Sequence, residues 1–386
     1  VTPGARLAAA ITVLDRWLAG QPAEQALTNW GRASRYAGSG DRLAVRDLVF
    51  RAIRCRRSLA ALGGGETGRG LILGQLREDG LDPATLFTGE GHAPAPVTAA
   101  ETTVTTPEGL VALDCPDWLA PSLQRALAGD FPAVMQALRA RAPVHLRANL
   151  ARESRAEVLS RLAQEGIAAV AHPLAPTAIE VTGNARKIAQ TPAYLQGFVE
   201  LQDAASQAVV AELPLRAGQR VLDYCAGGGG KTLAIAAVTG GKVWAHDADP
   251  ARMRDLPARA ARAGARVALL APGEVETAAP FDLILADVPC SGSGSWRRSP
   301  EGKWALTPAR LTDLHAVQDR ILARIADLVA PGGQIAYATC SMLAEENEDR
   351  VAAFVAAHPG WTCRHQRRFS PLEGGDGFFV ALLSRE

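Results

Sequence analysis

FDLILADVPCSGSGSWRRSPEGKW, residues 281–304, changes character twice. Leu283, Ile284, Leu285 and Ala286 form a short apolar run without helical period, the pattern of a buried strand. The run stops at Asp287, and a proline, Cys290 and a series of Gly and Ser residues follow. A carboxylate and a thiol are thereby delivered to the end of a core strand, ahead of a loop able to lie close to a ligand. Open parallel sheets bind ligands at the carboxyl ends of their strands.

The surroundings of this stretch supply such a sheet. From about Ala189 onward, RVLDYC (220–225), KVWAHD (242–247), ARVALL (265–270), DLILAD (282–287) and GQIAYATC (333–340) read as five short apolar strands. Helical patterns lie between most of them. In the clearest, Pro308 to Val329, Leu311, Leu314, Val317, Ile321, Ile325 and Leu328 share one side, with Thr307 as cap and Pro308 in the first turn. Strands alternating with helices predict an α/β fold with a doubly wound, mostly parallel sheet.

Ahead of it the texture differs. Residues 5–63 read as all-helical, with Asp41 capping a helix that runs to about Leu62. Leu43, Leu48, Val49, Ile53 and Leu59 form its apolar side, and Arg42, Arg46, Arg54, Arg56 and Arg57 its other side. These residues alone leave two readings open, a solvated basic face or a phosphate-contacting one. Charge runs are usually solvated, whereas guanidinium forks suit phosphate oxygens. Residues 87–109, rich in Pro, Thr, Ala and Gly, read as a linker. A helical stretch around Pro116 to Ala142 follows. Then come a strand (PVHLRANL, 143–150), a helix (Arg152 to Glu165) and two more strands (GIAAVAHP and AIEVTG), which make a small α/β domain.

Composition narrows the class. At 386 residues, 48% of them hydrophobic, the chain can bury two or three cores. No apolar run has transmembrane length. The opening RLAAAITVLDRW is interrupted by Asp15 and Arg16 and follows a helical period, so a helix is expected there and not a signal peptide. Six cysteines (55, 115, 225, 290, 340 and 363) show no CxxC spacing, so neither a metal site nor a disulfide framework is expected. Unpaired thiols suit a cytoplasmic setting. Net charge is only +1, yet residues 1–70 hold eleven Arg against five acidic side chains.

Three stretches carry chemistry. In VLDYCAGGGGKT (221–232) a strand ends, glycines follow and a helix begins. A phosphate loop of the form GxxxxGK[ST] fails because Cys225 stands where its first glycine belongs. A GxGxxG pattern matches loosely. An S-adenosylmethionine loop is the third option, and Asp247, at the end of KVWAHD, is placed to hold ribose hydroxyls. The second stretch carries Asp287 and Cys290. The third is YATCSMLAEENE (337–348), where Cys340 also sits just past a strand. Either cysteine alone reads as a small buried hydrophobe. Two thiols, a carboxylate and a cofactor loop at one sheet edge call for chemistry. A thiolate adding to C6 of a pyrimidine makes C5 able to accept a methyl group. The adduct must then lose the C5 proton and expel the thiolate, which needs proton-handling groups beside it.

The set DYCAGGGGKT, DVPCSGSGSWRR, KW, YATCS, EEN and GDGFF, together with LQDAASQ (201–207), LRAN (146–149) and PDWLA (116–120), resembles the Sun/RsmB-type RNA (cytosine-5) methyltransferases over about residues 115–386. The resemblance implies a Rossmann-like methyltransferase domain at 189–386, a small α/β domain at 116–188, a linker at 87–115 and a helical NusB-like RNA-binding domain at 1–86. It makes Cys340 the nucleophile and Cys290 the group assisting product release, with Asp287 at the cytosine ring. A Pro-Cys nucleophile, as in DNA cytosine methyltransferases, would instead be Cys290; the TCS motif at Cys340 favours Cys340. The implied cofactor is S-adenosylmethionine. Its site is expected to comprise Cys225, Ala226, Gly227, Gly228, Gly229, Gly230, Lys231, Asp247, Arg252, Glu274 and Asp287. The implied partner is RNA, ribosomal by analogy, met by Arg46, Arg54, Arg57, Arg297, Lys303 and Trp304. No membrane partner is expected, and the chain is expected to act as a monomer.

Two departures stand out. The family has Ala-Pro-Gly-Gly-Lys where this chain has Gly227 to Lys231, and glycines lose more entropy on ordering, so a looser loop and weaker cofactor binding are expected. The family's Asp after the third strand is missing from LLAPGEVE, which leaves Glu274 as its stand-in.

Overall fold

Alternating apolar positions in the first strand motif build a small antiparallel sheet. In the computed structural model, which describes residues 1–385, its strands are β1 (Val144–Ala148), β2 (Ala168–Ala171), β3 (Ala178–Gly183) and β4 (Val199–Leu201), in the order β2-β3-β1-β4. Leu146, Ala148, Ile179 and Val181 line one face and pack with Val158 and Leu162 of the helix Arg155–Gln164. Ser154 and Glu157 close a capping box at its start.

The larger sheet contains β5 (Val221–Asp223), β6 (Lys242–His246), β7 (Arg266–Leu270), β8 (Phe281–Asp287), β9 (Val329–Thr339), β10 (Trp361–Phe369) and β11 (Phe378–Arg385). Their order is β10-β11-β9-β8-β5-β6-β7. From β5 through β9 the pairs are parallel, whereas β11 and β10 add antiparallel strands at one edge. The chain leaves β5 toward β6 and β7, then returns to place β8 and β9 on the other side. The order therefore reverses at β5 and β8, where open sheets hold their ligands. Leu283, Leu285, Ala336 and Ala338 pack on one face of the sheet and Ile284, Ala286, Ile335 and Tyr337 on the other. That two-sided burial is why these strands read as continuous apolar runs.

The five expected strands form, within a few residues. The helix expected over Pro308–Val329 ends at Ala326, because Val329 already starts β9. β4, β10 and β11 were not anticipated. The residues of β10 (TCRHQRRF after Trp361) are mostly exposed and charged, which suits a protected sheet edge but erases the apolar signal.

The chain divides into two units. One contains both sheets; the other comprises Val1–Arg141 together with Trp296–Ala305. In the helical unit the helices are Pro3–Leu18, Ala23–Ala33, Ser39–Arg54, Arg56–Gly63 and Gly68–Glu78. The long helix expected from Asp41 to Leu62 is broken at Cys55. The buried Asp114 carboxylate explains the break: it accepts the N–H groups of Arg57 and Ser58, each at 2.9 Å, and so starts a new helix. The stretch expected to be a linker is irregular but tied down. Phe87 is buried in the helical core, and Arg69 grips Glu101 and the carbonyls of Ala95 and Pro96. The helices between Asp117 and Ala137 also belong to this unit; the strands of the small sheet begin at Val144, as expected, and its last strand, β4, lies beyond residue 188. Among the described residues no helix is long and apolar enough to cross a membrane.

Candidate active site

Three neighbouring strands end together. β5 runs into the glycine loop, β8 into the Cys290 loop and β9 into Cys340, and β8 is hydrogen-bonded to both of the others. Cys290 Sγ lies 3.4 Å from Cys340 Sγ. The hydrogen bond to Cys340, and then burial, push the Cys290 thiol well above the ordinary range, which favours its protonated form. Lys231 Nζ sits 2.6 Å from Asp287 Oδ2 and 4.8 Å from the centre of the Phe378 ring. Burial pulls the Lys231 pKa down, but the charge and hydrogen bond of Asp287 more than offset this, and Cys340 acts in the same direction. Lys231 is thus a fixed ammonium in the field of both Asp287 and the Cys340 thiol.

A shell of buried polar groups fixes the two thiol loops. Glu346, fully buried, accepts the Ser291 N–H at 2.8 Å and the Ser291 hydroxyl at 2.5 Å, and Gln318 Nε2 at 3.1 Å. Gln318 also reaches the Pro289 carbonyl. Asn347 Nδ2 donates to the Ser341 carbonyl, and Gly294 N–H donates to the Cys340 carbonyl at 2.9 Å. Glu346 and Asn347 belong to the EEN motif quoted above, yet the sequence offered no way to assign them to Ser291 and Ser341.

In the cofactor loop, Asp247 Oδ2 accepts the Gly227 N–H at 2.9 Å and Arg252 Nη1 at 3.3 Å. Gly227 and Gly229 hold left-handed backbone, φ +52° and +80°, and a Cβ on Gly229 would lie 2.2 Å from Leu256 Cδ1. These two glycines answer to shape, which gives them a role beyond looseness. Arg147 Nη1 donates to the Gly230 carbonyl at 2.6 Å and ties the small sheet to the loop. Ala226 N–H donates to the His246 carbonyl. Burial pushes the Cys225 thiol well up. Asp223 Oδ2 accepts the Thr232 hydroxyl at 2.7 Å, whereas its Oδ1 is buried without a partner. Burial raises Asp223 to about 7. Glu274 is exposed, and its Oε2 accepts the Ala271 N–H at 2.8 Å, closing the turn after β7.

The residues expected to meet RNA divide. In the helical unit, Arg46 is exposed and paired with Glu24, and Arg57 is half-buried and paired with Asp117. Arg54, Arg297 and Lys303 are buried. Lys303 Nζ donates to the Arg54 carbonyl at 3.0 Å, and Trp304 Nε1 to the Ile53 carbonyl at 2.7 Å. Burial lowers the Lys303 pKa to about 8. These contacts hold Arg54, Lys303 and Trp304 within the helical unit, where Arg297 is buried as well. Lys303 and Trp304 satisfy the open carbonyls at the end of the helix Ser39–Arg54 and complement its dipole. In the same segment Glu301 Oε1 accepts the Ala23 N–H at 2.9 Å, at the start of the helix Ala23–Ala33.

The chain matches two family models. One describes the 16S rRNA methyltransferase RsmB/F and covers residues 210–384; the other describes the ferredoxin-like domain of RsmF/B-like methyltransferases and covers residues 115–186. Ribosomal RNA small subunit methyltransferase B of Erwinia tasmaniensis is 34% identical over 286 residues, 70% of this chain and 66% of that protein. The protein of the same name from Klebsiella pneumoniae is 34% identical over 282 residues, 69% of this chain and 65% of that protein. The chain thus aligns with just under two thirds of each relative's length. A methyltransferase homolog protein from Pyrococcus horikoshii is similar in structure, with TM-score 0.63 and 25% identity over 72% of this chain and 97% of that one. With the strand-end thiols, the glycine loop and the two matched models in agreement, the chain belongs to the RsmB/F methyltransferase family.

Proposed function

We propose that this protein methylates C5 of a cytosine in RNA, in small-subunit ribosomal RNA, through a covalent bond between Cys340 and C6. The observation that carries the reading is the 3.4 Å approach of Cys290 and Cys340 beside the Lys231–Asp287 pair. S-adenosylmethionine supplies the electrophilic methyl group. The residues present fit it: the glycine loop exposes backbone close to Asp247, and the unpartnered buried Oδ1 of Asp223 is an acceptor beside that loop.

Cys340 Sγ, as thiolate, adds to C6 and shifts electron density to C5. The Lys231 ammonium favours the thiolate by its charge. Asp287 holds the cytosine edge, with Lys231 fixing its carboxylate. C5 takes the methyl carbon as that carbon's bond to the donor sulfur breaks, then gives up its proton to water, and the C5–C6 double bond re-forms as the C6–S bond breaks. Cys290, which keeps its proton, is placed to hand it to the departing Cys340 sulfur.

Bisulfite sequencing of total RNA from cells with and without the gene tests the reading. A single ribosomal cytosine that loses protection supports it. A transfer-RNA cytosine would keep the chemistry and replace the substrate. No change at any site would leave an RNA-binding assembly role instead.

A further inference from the structure

On the small sheet, the face opposite the Leu146–Val181 core carries an unexplained polar cluster. His145 of β1 stands directly opposite Glu180 of β3, and Val170 of β2 opposite Glu180 on the other side. His172, two residues past Val170, returns to the same face by the alternation of strands. The donor atoms of His145, His172 and Glu180 all lie within 4.8 Å of one another. The two imidazole rings meet edge to face with centroids 4.9 Å apart, and both residues are at least 95% buried.

His145 is already oriented. Its Nδ1 lies 3.1 Å from Asp203 Oδ2 and accepts the Ala204 N–H at 3.3 Å. Asp203 is itself fixed, because its Oδ1 accepts the N–H groups of Ala205 at 2.8 Å and Asp376 at 3.0 Å. With an ion bound, the tautomer that donates Nδ1–H to Asp203, the shorter of the two contacts, would present the Nε2 lone pair, and that buried Nε2 has no hydrogen-bond partner. A carboxylate behind an imidazole whose other nitrogen is open is the usual support of a metal-binding histidine.

We propose that His145, His172 and Glu180 bind a divalent zinc-class ion, with water as the fourth ligand. Two imidazoles and one carboxylate suit zinc and disfavour magnesium or calcium. Tetrahedral ligation with bonds of about 2.0 Å asks the donors, within 4.8 Å of one another, to close to roughly 3.3 Å. The ion would clamp β1, β2 and β3 to one another. Through Asp203 it would also brace Asp376, in the GDGFF loop that leads to Phe378 beside Lys231. The site is independent of the proposed methyl transfer.

The test uses the full chain carrying Cys290→Ala and Cys340→Ala, stripped with chelator and titrated with zinc chloride by calorimetry and with cobalt chloride by absorption. The expected result is one ion per chain at micromolar concentration, a higher melting temperature with zinc, and cobalt ligand-field bands without a thiolate charge-transfer band. Glu180→Gln and His172→Asn are each expected to weaken binding at least tenfold while leaving circular dichroism unchanged. Failure to take up one equivalent overturns the proposal, as does a thiolate band or equal affinity in Glu180→Gln. If His172→Asn does not fold, the parent chain and Glu180→Gln decide.

Discussion

Asn347 Oδ1 accepts the Thr339 hydroxyl at 2.5 Å while the same side chain donates to the Ser341 carbonyl at 2.9 Å. One buried amide thus holds the residues on both sides of Cys340. Asn347→Ala strands a buried hydroxyl and a buried carbonyl. Each unmet group costs about 1–3 kcal/mol, so a loss of roughly 2–4 kcal/mol is expected in urea unfolding. Single-turnover methyl transfer should fall by at least tenfold even where the variant is folded. Unchanged turnover would show that the Cys340 loop holds its shape without Asn347.

The two thiols are expected to fail in opposite ways. Cys290→Ala should accumulate a protein–RNA adduct that survives denaturing electrophoresis, because addition still occurs and release does not. Cys340→Ala should give none. The reverse pattern would exchange their roles, even though burial and the Cys340 hydrogen bond leave Cys290 protonated.

The glycine loop offers a test of shape against looseness. Gly228 is exposed and is not among the positive-φ glycines. If the loop orders only as the cofactor binds, a proline that cuts its freedom by about 0.4–1 kcal/mol should raise cofactor affinity two- to fivefold by calorimetry. Gly227→Ala should gain nothing, since its φ of +52° strains any residue with a Cβ. An equal gain from both would return the argument to simple looseness.

Asp223 predicts a pH dependence. Its folded pKa, about 7, lies above the ordinary 3.8 because burial disfavours the charge. The folded state therefore holds the proton more tightly. The contribution to stability is full below about 3.8 and is lost as pH rises toward 7. Melting temperatures of the wild type and Asp223→Asn, compared between pH 4 and 8, should diverge in slope across that window. Parallel curves would mean that Asp223 is ionised throughout.

Lys303 and Trp304 should report on folding and not on phosphate binding. Trp304→Phe removes the donor to the Ile53 carbonyl and should cost about 1 kcal/mol. Lys303→Met should cost more, since the Arg54 carbonyl is then left buried. The salt slope of RNA binding should stay unchanged in both. A slope reduced by about one would restore Lys303 to an RNA-facing role.

These cases mark what a sequence discloses. Asp287, Cys290 and Cys340 were legible because each directly follows an apolar strand, and local order fixes which edge of the sheet it meets. Lys231 and Asp247 were legible for the same reason, but the 2.6 Å pairing of Lys231 with Asp287 joins residues far apart in the chain. Arg54 and Lys303 were read as RNA-facing from charge type alone, and that reading could not show the helix-end carbonyl that gives Lys303 an interior partner. β10 was missed because its polar residues serve an edge. The His145–His172–Glu180 cluster depends on strand register, which spacing along the chain does not encode.

The segment Trp296–Ala305 also sets an order of events during synthesis. When residue 141 leaves the ribosome, the helix start at Ala23 and the helix end at Ile53 and Arg54 still lack Glu301, Trp304 and Lys303. Those partners emerge only after β1 through β8 have been made. Residues 1–141 are therefore translated ahead of the segment that completes their unit. A fragment cut after residue 141 would carry every one of the unit's N-terminal helices and still be incomplete.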